Sequence, residues 1–148
     1  MFNRLIKTTD DRAITIIRLV LGVVFFAHGA QKMLGWFGGY GFHGTMGFFT
    51  HAMHIPAAFA FLAICAEFFG ALGLITGLLG RVAAFGVFCV MAVAVAMIHA
   101  HNGFFMNWNG VVPPVEGYEY HLLAMAMALA VMIKGSGAFS IDRAIAKG

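Results

Sequence analysis

The stretch AITIIRLVLGVVFFAHGAQKML, residues 13–34, decides the fold of this chain. It is long enough to cross the roughly 30 Å hydrocarbon core of a bilayer as a helix. Three further apolar runs follow it, so we predict membrane-spanning helices over about 13–34, 56–79, 82–99 and 118–133. The fourth run is the shortest, and it spans only with Tyr118 and Tyr120 as interfacial anchors.

The composition supports a membrane protein and excludes a soluble enzyme domain. Hydrophobic residues make up 61% of the chain and charged residues 10%, with a mean hydropathy of +0.90. Four helices and their connections leave no room for a second domain, so we expect a single transmembrane domain over residues 1–148. The predicted fold class is therefore all-α, an integral membrane four-helix bundle.

The distribution of basic residues predicts the orientation of that bundle. Lys32 is the one basic residue placed at the outer end; the other Lys and Arg residues flank the opposite ends of the predicted helices. The positive-inside rule then places both termini in the cytoplasm. The net charge of +3 reflects this topology and anionic lipid headgroups. No basic stripe with interleaved aromatic residues is present, which excludes nucleic acid as a partner.

Polar residues inside the apolar runs fall at one depth. At about 1.5 Å per helical residue, they lie roughly 20–27 Å from the cytoplasmic boundary; they are His28, Glu67, His99, Glu119 and His121. Lys32 follows one turn beyond His28, and all seven histidines fall toward the outer side. This layer predicts an outward-facing polar site in the outer half of the bundle.

Several of these positions leave alternatives open. A buried carboxylate such as Glu67 is either a structural hydrogen-bond partner or a ligand-binding or proton-handling group. His99 and His101 are two residues apart, as are Glu119 and His121, so only one member of each pair can face the bundle interior. Arg18 could be a headgroup anchor, an ion-pair partner or a site residue.

We do not expect the two cysteines to form a disulfide. Cys65 and Cys89 would differ in depth by about 12 Å on neighbouring helices, which is too far for an S–S bond. We interpret both as small core residues.

The order and spacing of several motifs resemble the DoxX family over nearly the whole chain. The resemblance lies in Arg18-Leu-Val-Leu-Gly22, Phe25-Phe26, His28-Gly29, Lys32, Gly35-Trp36, Gly38-Gly39, Glu67, Gly80-Arg81, Gly117-Tyr118-Glu119 and the tail from Gly135 to Asp142. It implies a small four-helix protein of the bacterial inner membrane. It also implies kinship with the DoxD subunit of thiosulfate:quinone oxidoreductase and with partners of membrane oxidoreductase complexes.

From the resemblance and the polar layer we predict the membrane subunit of a quinone-linked oxidoreductase. The catalytic candidates are Glu67 and Glu119, as proton carriers. The quinone-binding candidates are Arg18, His28, Lys32, His99 and His121. The chain has no flavin, haem-attachment or iron–sulfur motif, so a partner protein or a small reductant would supply the electrons.

Two other hypotheses stay open at this stage. In one, the chain binds haem or copper without turnover, with His28, His99 and His121 as the ligands. In the other, it is a membrane scaffold for a redox partner, and the polar layer only specifies the bundle. A homo-oligomer is compatible with each of these hypotheses.

Overall fold

The computed structural model describes residues 2–110, 112 and 115–146. These residues form helices joined by turns and loops, and no strand occurs among them. Four long helices build the bundle: α2 (Arg12–Leu34), α4 (Ala57–Thr76), α5 (Gly80–Met97) and α6 (Glu119–Lys134). Three short helices accompany them: α1 (Phe2–Ile6), α3 (Gly41–Gly47) and α7 (Ile141–Ala146).

Helices α2, α4 and α5 are each long and apolar enough to cross a membrane. Helix α6 has 16 residues and is therefore about 24 Å long, shorter than the hydrocarbon core. Because it packs against α5 and α2, it completes the bundle beside the three longer spans. The structure is thus an α-helical membrane bundle, and the protein is a multi-pass membrane protein.

The helix ends follow local chemistry. Asp11 caps α2, because its Oδ1 accepts a hydrogen bond from the amide of Ala13 at 2.9 Å. Helices α2 and α4 end at Gly35 and Gly77, whose φ values of 75° and 69° are left-handed and favour glycine. We call the end with the tight 77–79 turn and the short helices α1 and α7 the turn end. The opposite end, with the two long connections, is the loop end.

Small residues let the helix backbones approach closely. A Cβ atom on Gly29 of α2 would lie 2.7 Å from the Cα atom of Phe68 in α4. A Cβ on Gly70 would lie 3.4 Å from the backbone oxygen of Ala83 in α5. The largest buried cluster of α2, α4, α5 and α6 comprises Leu21, Phe25, Ala71, Leu74, Ala84, Val87, Met91, Ala124, Ala128 and Val131. This core fills the turn-end half of the bundle and leaves space toward the loop end.

The turn end is held together by polar groups from the C-terminal segment. The Asp142 carboxylate accepts hydrogen bonds from the amides of Leu79 (2.7 Å) and Gly80 (3.0 Å), and from the hydroxyl of Ser136 (2.5 Å). It therefore caps the start of α5 from a position more than 60 residues later in the chain. Sequence reasoning noted Asp142 only as part of a motif and did not predict this cap.

Candidate functional site

A cavity of about 1050 Å³ occupies the loop-end half of the bundle. Its walls come from α2, α4, α5 and α6, and residues of the two long connections lie over it. Most of the wall is apolar, built from residues such as Phe25, Phe59, Leu62, Met91 and Val93. Polar side chains occupy the remainder: His28, Lys32, His54, Glu67, His99, Glu116, Tyr120 and His121. The cavity is therefore amphipathic, with a large apolar part and a defined polar part.

One polar feature of the cavity is an ion pair between α2 and α4. The Nζ atom of Lys32 lies 2.5 Å from Oε2 of Glu67. Glu67 is buried, with 4% of its surface exposed, whereas the Lys32 side chain keeps 25%. Sequence reasoning matched Glu67 to His28 by depth and placed Lys32 at the mouth. In the structure Lys32 turns inward and neutralises the carboxylate, because an unpaired charge at this depth is costly.

His28 lies one helical turn before Lys32 on the cavity wall. Its ring centroid is 6.4 Å from that of Tyr120 and 6.5 Å from that of Phe25. His28 therefore connects the ion-paired side of the cavity with α6. Tyr120 and Phe25 also line the cavity.

A second polar group comes from α6 and from the connection between α5 and α6. The rings of His99 and His121 lie 4.0 Å apart, and Nδ1 of His99 is 2.7 Å from the backbone oxygen of Glu116. The sequence left open which of His99 and His101, and which of Glu119 and His121, faces the bundle interior. His99 and His121 face the cavity, whereas His101 is exposed.

Two buried polar atoms on α6 have no hydrogen-bond partner among the described residues. They are the hydroxyl of Tyr120 and Nδ1 of His121. Buried polar groups are normally paired in folded proteins. Orphaned atoms on residues that line a cavity therefore point to a polar ligand or to water there.

Tyr120 and Glu116 are cavity residues that sequence reasoning missed. Tyr120 was interpreted as an interfacial anchor, although it lies four residues before Ala124 on the buried face of α6. The spacing of the small residues Ala124 and Ala128 is the signal that could have identified it. Glu116 lies in the loop, and no periodic pattern marked it.

Glu119, a catalytic candidate from the sequence, is not among the described residues of the cavity wall. Its Oε1 atom accepts hydrogen bonds from the backbone amide of Met106 at 3.0 Å and from Nε1 of Trp108 at 2.5 Å. Glu119 therefore holds the preceding loop instead of facing the cavity. The rotation of α6 that brings His121 inward turns Glu119 away.

Arg18, a quinone-binding candidate from the sequence, lies at the opposite end of the bundle. It is buried, with 1% exposure. Its guanidinium donates to the backbone oxygens of Leu74, Ile75, Ser136 and Phe139. Arg18 therefore joins the end of α4 to the C-terminal segment and is not a snorkelling anchor. It is not among the described residues that line the cavity.

The metal-ligand candidates from the sequence are His28, His99 and His121. Within residues 2–110, 112 and 115–146, no group of three or more His, Cys, Asp or Glu side chains is arranged to hold a metal ion. His28, His99 and His121 line one cavity but do not form such a group. Both cysteines are free thiols, and Cys89 lines the cavity, which the interpretation as a core residue did not predict.

Comparison with known proteins identifies a family for most of the bundle. The sequence model of the DoxX family matches residues 13–100, which is more than half of the 148 residues. No curated protein and no solved structure matches the chain. The matched region contains α4, α5 and all of α2 except its first residue, together with Lys32, Glu67 and His99 of the cavity. The chain belongs to the DoxX family of membrane proteins.

Proposed function

We propose that this protein is the membrane subunit of a quinone-linked oxidoreductase complex and that it holds a quinone in the loop-end cavity. The observation that carries the proposal is the amphipathic cavity, in which a mostly apolar space meets two groups of polar side chains. Membrane quinones also have a polar and an apolar part, because a ring with two carbonyl oxygens carries a long apolar tail.

The size of the cavity fits such a ligand. Small-molecule sites usually occupy about 300–1,000 Å³, and this cavity has about 1050 Å³. That volume accommodates a quinone ring and the first units of an isoprenoid tail. The aromatic and aliphatic walls from α4 and α5 would surround the tail.

The polar residues fit the ring. Lys32 can donate a hydrogen bond to a carbonyl oxygen, and so can His28. The Tyr120 hydroxyl, which has no partner among the described residues, is a third donor, on α6 beside His28. His121 offers a ring nitrogen that can donate or accept, depending on its tautomer. These four residues would hold and orient the head group.

A bound quinone supplies two-electron, two-proton redox chemistry. The contribution of the protein is to hold the ring and to handle protons. Glu67 is the proton-handling group, because its Oε2 atom can take up a proton when Lys32 redirects a hydrogen bond toward a ligand. The apolar walls exclude water and so strengthen each of these polar interactions.

The positive-inside rule supports cytoplasmic termini, and the bacterial inner membrane is the location that the family resemblance implies. The sequence contains no electron-carrying cofactor motif, so a partner protein or a small reductant supplies the electrons. A homo-oligomer is compatible with this arrangement.

The test is the quinone content of protein purified in mild detergent, measured by mass spectrometry. We expect quinone in the wild-type protein and its loss in Glu67→Gln, because the amide no longer forms the ion pair that positions Lys32 beside the cavity. Glu119→Gln is the matched control: it makes the same chemical change in a carboxylate that holds a loop, and it should retain quinone. Equal quinone content in Glu67→Gln and wild type would contradict the assignment of Glu67.

The same purification also tests the haem or copper hypothesis and the scaffold hypothesis. A haem absorption band or stoichiometric copper would replace the quinone proposal with a haem- or copper-binding protein. Colourless protein without quinone or metal, in both wild type and variants, would favour a scaffold.

A further inference from the structure

We infer that the ligand of the cavity reaches it from the membrane, between α4 and α5, while Glu116 and Glu119 keep the loop end closed to the aqueous solution. This inference rests on the proposed function, because it takes the ligand to be a membrane-dissolved quinone. It assigns Glu119 a positioning role in place of the catalytic role that the sequence suggested.

Helices α4 and α5 are in close contact on the turn-end side of the cavity. A Cβ atom on Gly73 would lie 3.1 Å from Cβ of Ala83, and one on Gly86 would lie 3.1 Å from Cβ of Ala66. From Gly86 toward the loop end, residues of both helices line the cavity. Its wall there includes Phe59, Leu62, Cys89, Val93 and Met97.

That part of the wall is continuous with the outer surface of the bundle. Phe59, Leu62 and Val93 keep 64%, 58% and 51% of their surface exposed. Leu62 and Val93 each lie about 20 Å along their helices from the turn end, within a hydrocarbon core of about 30 Å. At this depth the exposed surface meets lipid. The opening between α4 and α5 therefore faces the apolar part of the membrane.

Residues 103–108, which we call the cap, border the loop end of the cavity together with residues of the connection between α3 and α4. Backbone hydrogen bonds join the cap to the start of α6: Gly117 donates to Phe105 (3.1 Å), Tyr118 to Gly103 (3.2 Å) and Glu119 to Phe104 (2.9 Å). Met106 of the cap lines the cavity, as does Glu116. The cap therefore forms part of the cavity wall on the aqueous side.

Two carboxylates fix the cap in this position. Oε1 of Glu119 accepts from the amide of Met106 (3.0 Å) and from Nε1 of Trp108 (2.5 Å). Oε2 of Glu116 accepts from the amide of Asn107 at 3.2 Å. Hydrogen bonds to a charged carboxylate are stronger than those between neutral groups, so these three bonds hold the cap in place. A water-soluble ligand would have to displace the cap, whereas a membrane-dissolved ligand would not.

The two native cysteines provide a direct test of the access route. Cys89 lines the cavity, whereas Cys65 on α4 is not among the described lining residues. Cys65→Ser leaves Cys89 as the probe, and Cys89→Ser leaves Cys65 as the matched control. Each protein in lipid nanodiscs is labelled with a water-soluble sulfonated maleimide or with the lipid-soluble pyrenylmaleimide. Rates are normalised to those of the same protein denatured in detergent.

We expect Cys89 to react with pyrenylmaleimide and to resist the sulfonated reagent. Adding Glu119→Ala should raise sulfonated labelling of Cys89 by about tenfold, because two hydrogen bonds of the cap are lost. Glu119→Gln keeps an acceptor oxygen and should change it much less. If Glu119→Ala does not fold, Glu116→Ala tests the same closure. Decylubiquinone should slow pyrenylmaleimide labelling of Cys89 and leave that of Cys65 unchanged.

The outcomes separate the access route from the proposed function. Equal labelling of Cys89 by both reagents in the Cys65→Ser protein would overturn the membrane route, even if decylubiquinone protects Cys89. Selective labelling by pyrenylmaleimide without protection by decylubiquinone would support the route and contradict the quinone proposal.

Discussion

The ammonium group of Lys32 and the carboxylate of Glu67 form an ion pair with an Nζ to Oε2 distance of 2.5 Å, which joins α2 to α4 beside the cavity. The pair lies at a depth where an isolated charge would be strongly unfavourable. It therefore combines a structural role with the ability to exchange a hydrogen bond with a ligand.

The ion pair predicts a specific pattern of stability. Glu67→Ala should lower the free energy of unfolding by about 2 kcal/mol, because Lys32 then loses its buried partner but can still reach solvent. Lys32→Met combined with Glu67→Ala should recover part of that loss. The measurement is a double-mutant cycle of unfolding in mixed micelles with increasing sodium dodecyl sulfate. Strictly additive effects would show that the two groups are not coupled.

Arg18 should be a structural residue. Its guanidinium donates to four backbone oxygens, including those of Leu74 and Ser136. Arg18→Met should lower the free energy of unfolding by about 3 kcal/mol or more, because buried acceptors lose a charged donor. Ile16→Met is the control, since Ile16 is 64% exposed on the same helix. Folded Arg18→Met protein should keep its quinone, and selective loss of quinone without loss of stability would instead place Arg18 in the site.

Asp142 should stabilise the start of α5. Asp142→Asn retains one acceptor oxygen but removes the charge beside the amides of Leu79 and Gly80. We expect a loss of about 1 kcal/mol in the free energy of unfolding, measured in the same micelles. Asp10→Asn should change it by less than about 0.5 kcal/mol, because Asp10 pairs with Arg143 at an exposed position. Equal effects of both substitutions would contradict the capping role.

The orientation of the bundle can be tested with alkaline phosphatase fusions. Positive residues gather at the turn end, so a fusion after Asn107 at the loop end should be active outside the cytoplasm. A fusion at the C terminus should be inactive. The reverse pattern of activity would show that the bundle is inserted the other way round.

The sequence was sufficient to predict the bundle and the depth of its polar residues. Helical rise is constant at about 1.5 Å per residue, so His28, Glu67, His99 and His121 were assigned to one layer, and all four line the cavity. The family resemblance, too, is confirmed over residues 13–100.

The sequence did not determine which side of each helix faces inward. Glu119 and His121 lie at nearly the same depth, but the packing of α6 directs only His121 into the cavity. Tyr120 was missed for the same reason. The partners of Arg18 could not be predicted, because Ser136 and Phe139 are more than 100 residues away along the chain. Rotation and long-range contacts depend on tertiary packing, which periodicity alone does not specify.

The most direct test of the quinone proposal is photolabelling with an azidoquinone in nanodiscs, followed by peptide mapping by mass spectrometry. We predict labelling of the cavity walls, on residues such as Phe59, Cys89 and Tyr120, and its suppression by excess decylubiquinone. Labelling confined to the exposed face of α2, at residues such as Ile16, Val20 and Val23, and not suppressed by decylubiquinone, would contradict the proposal.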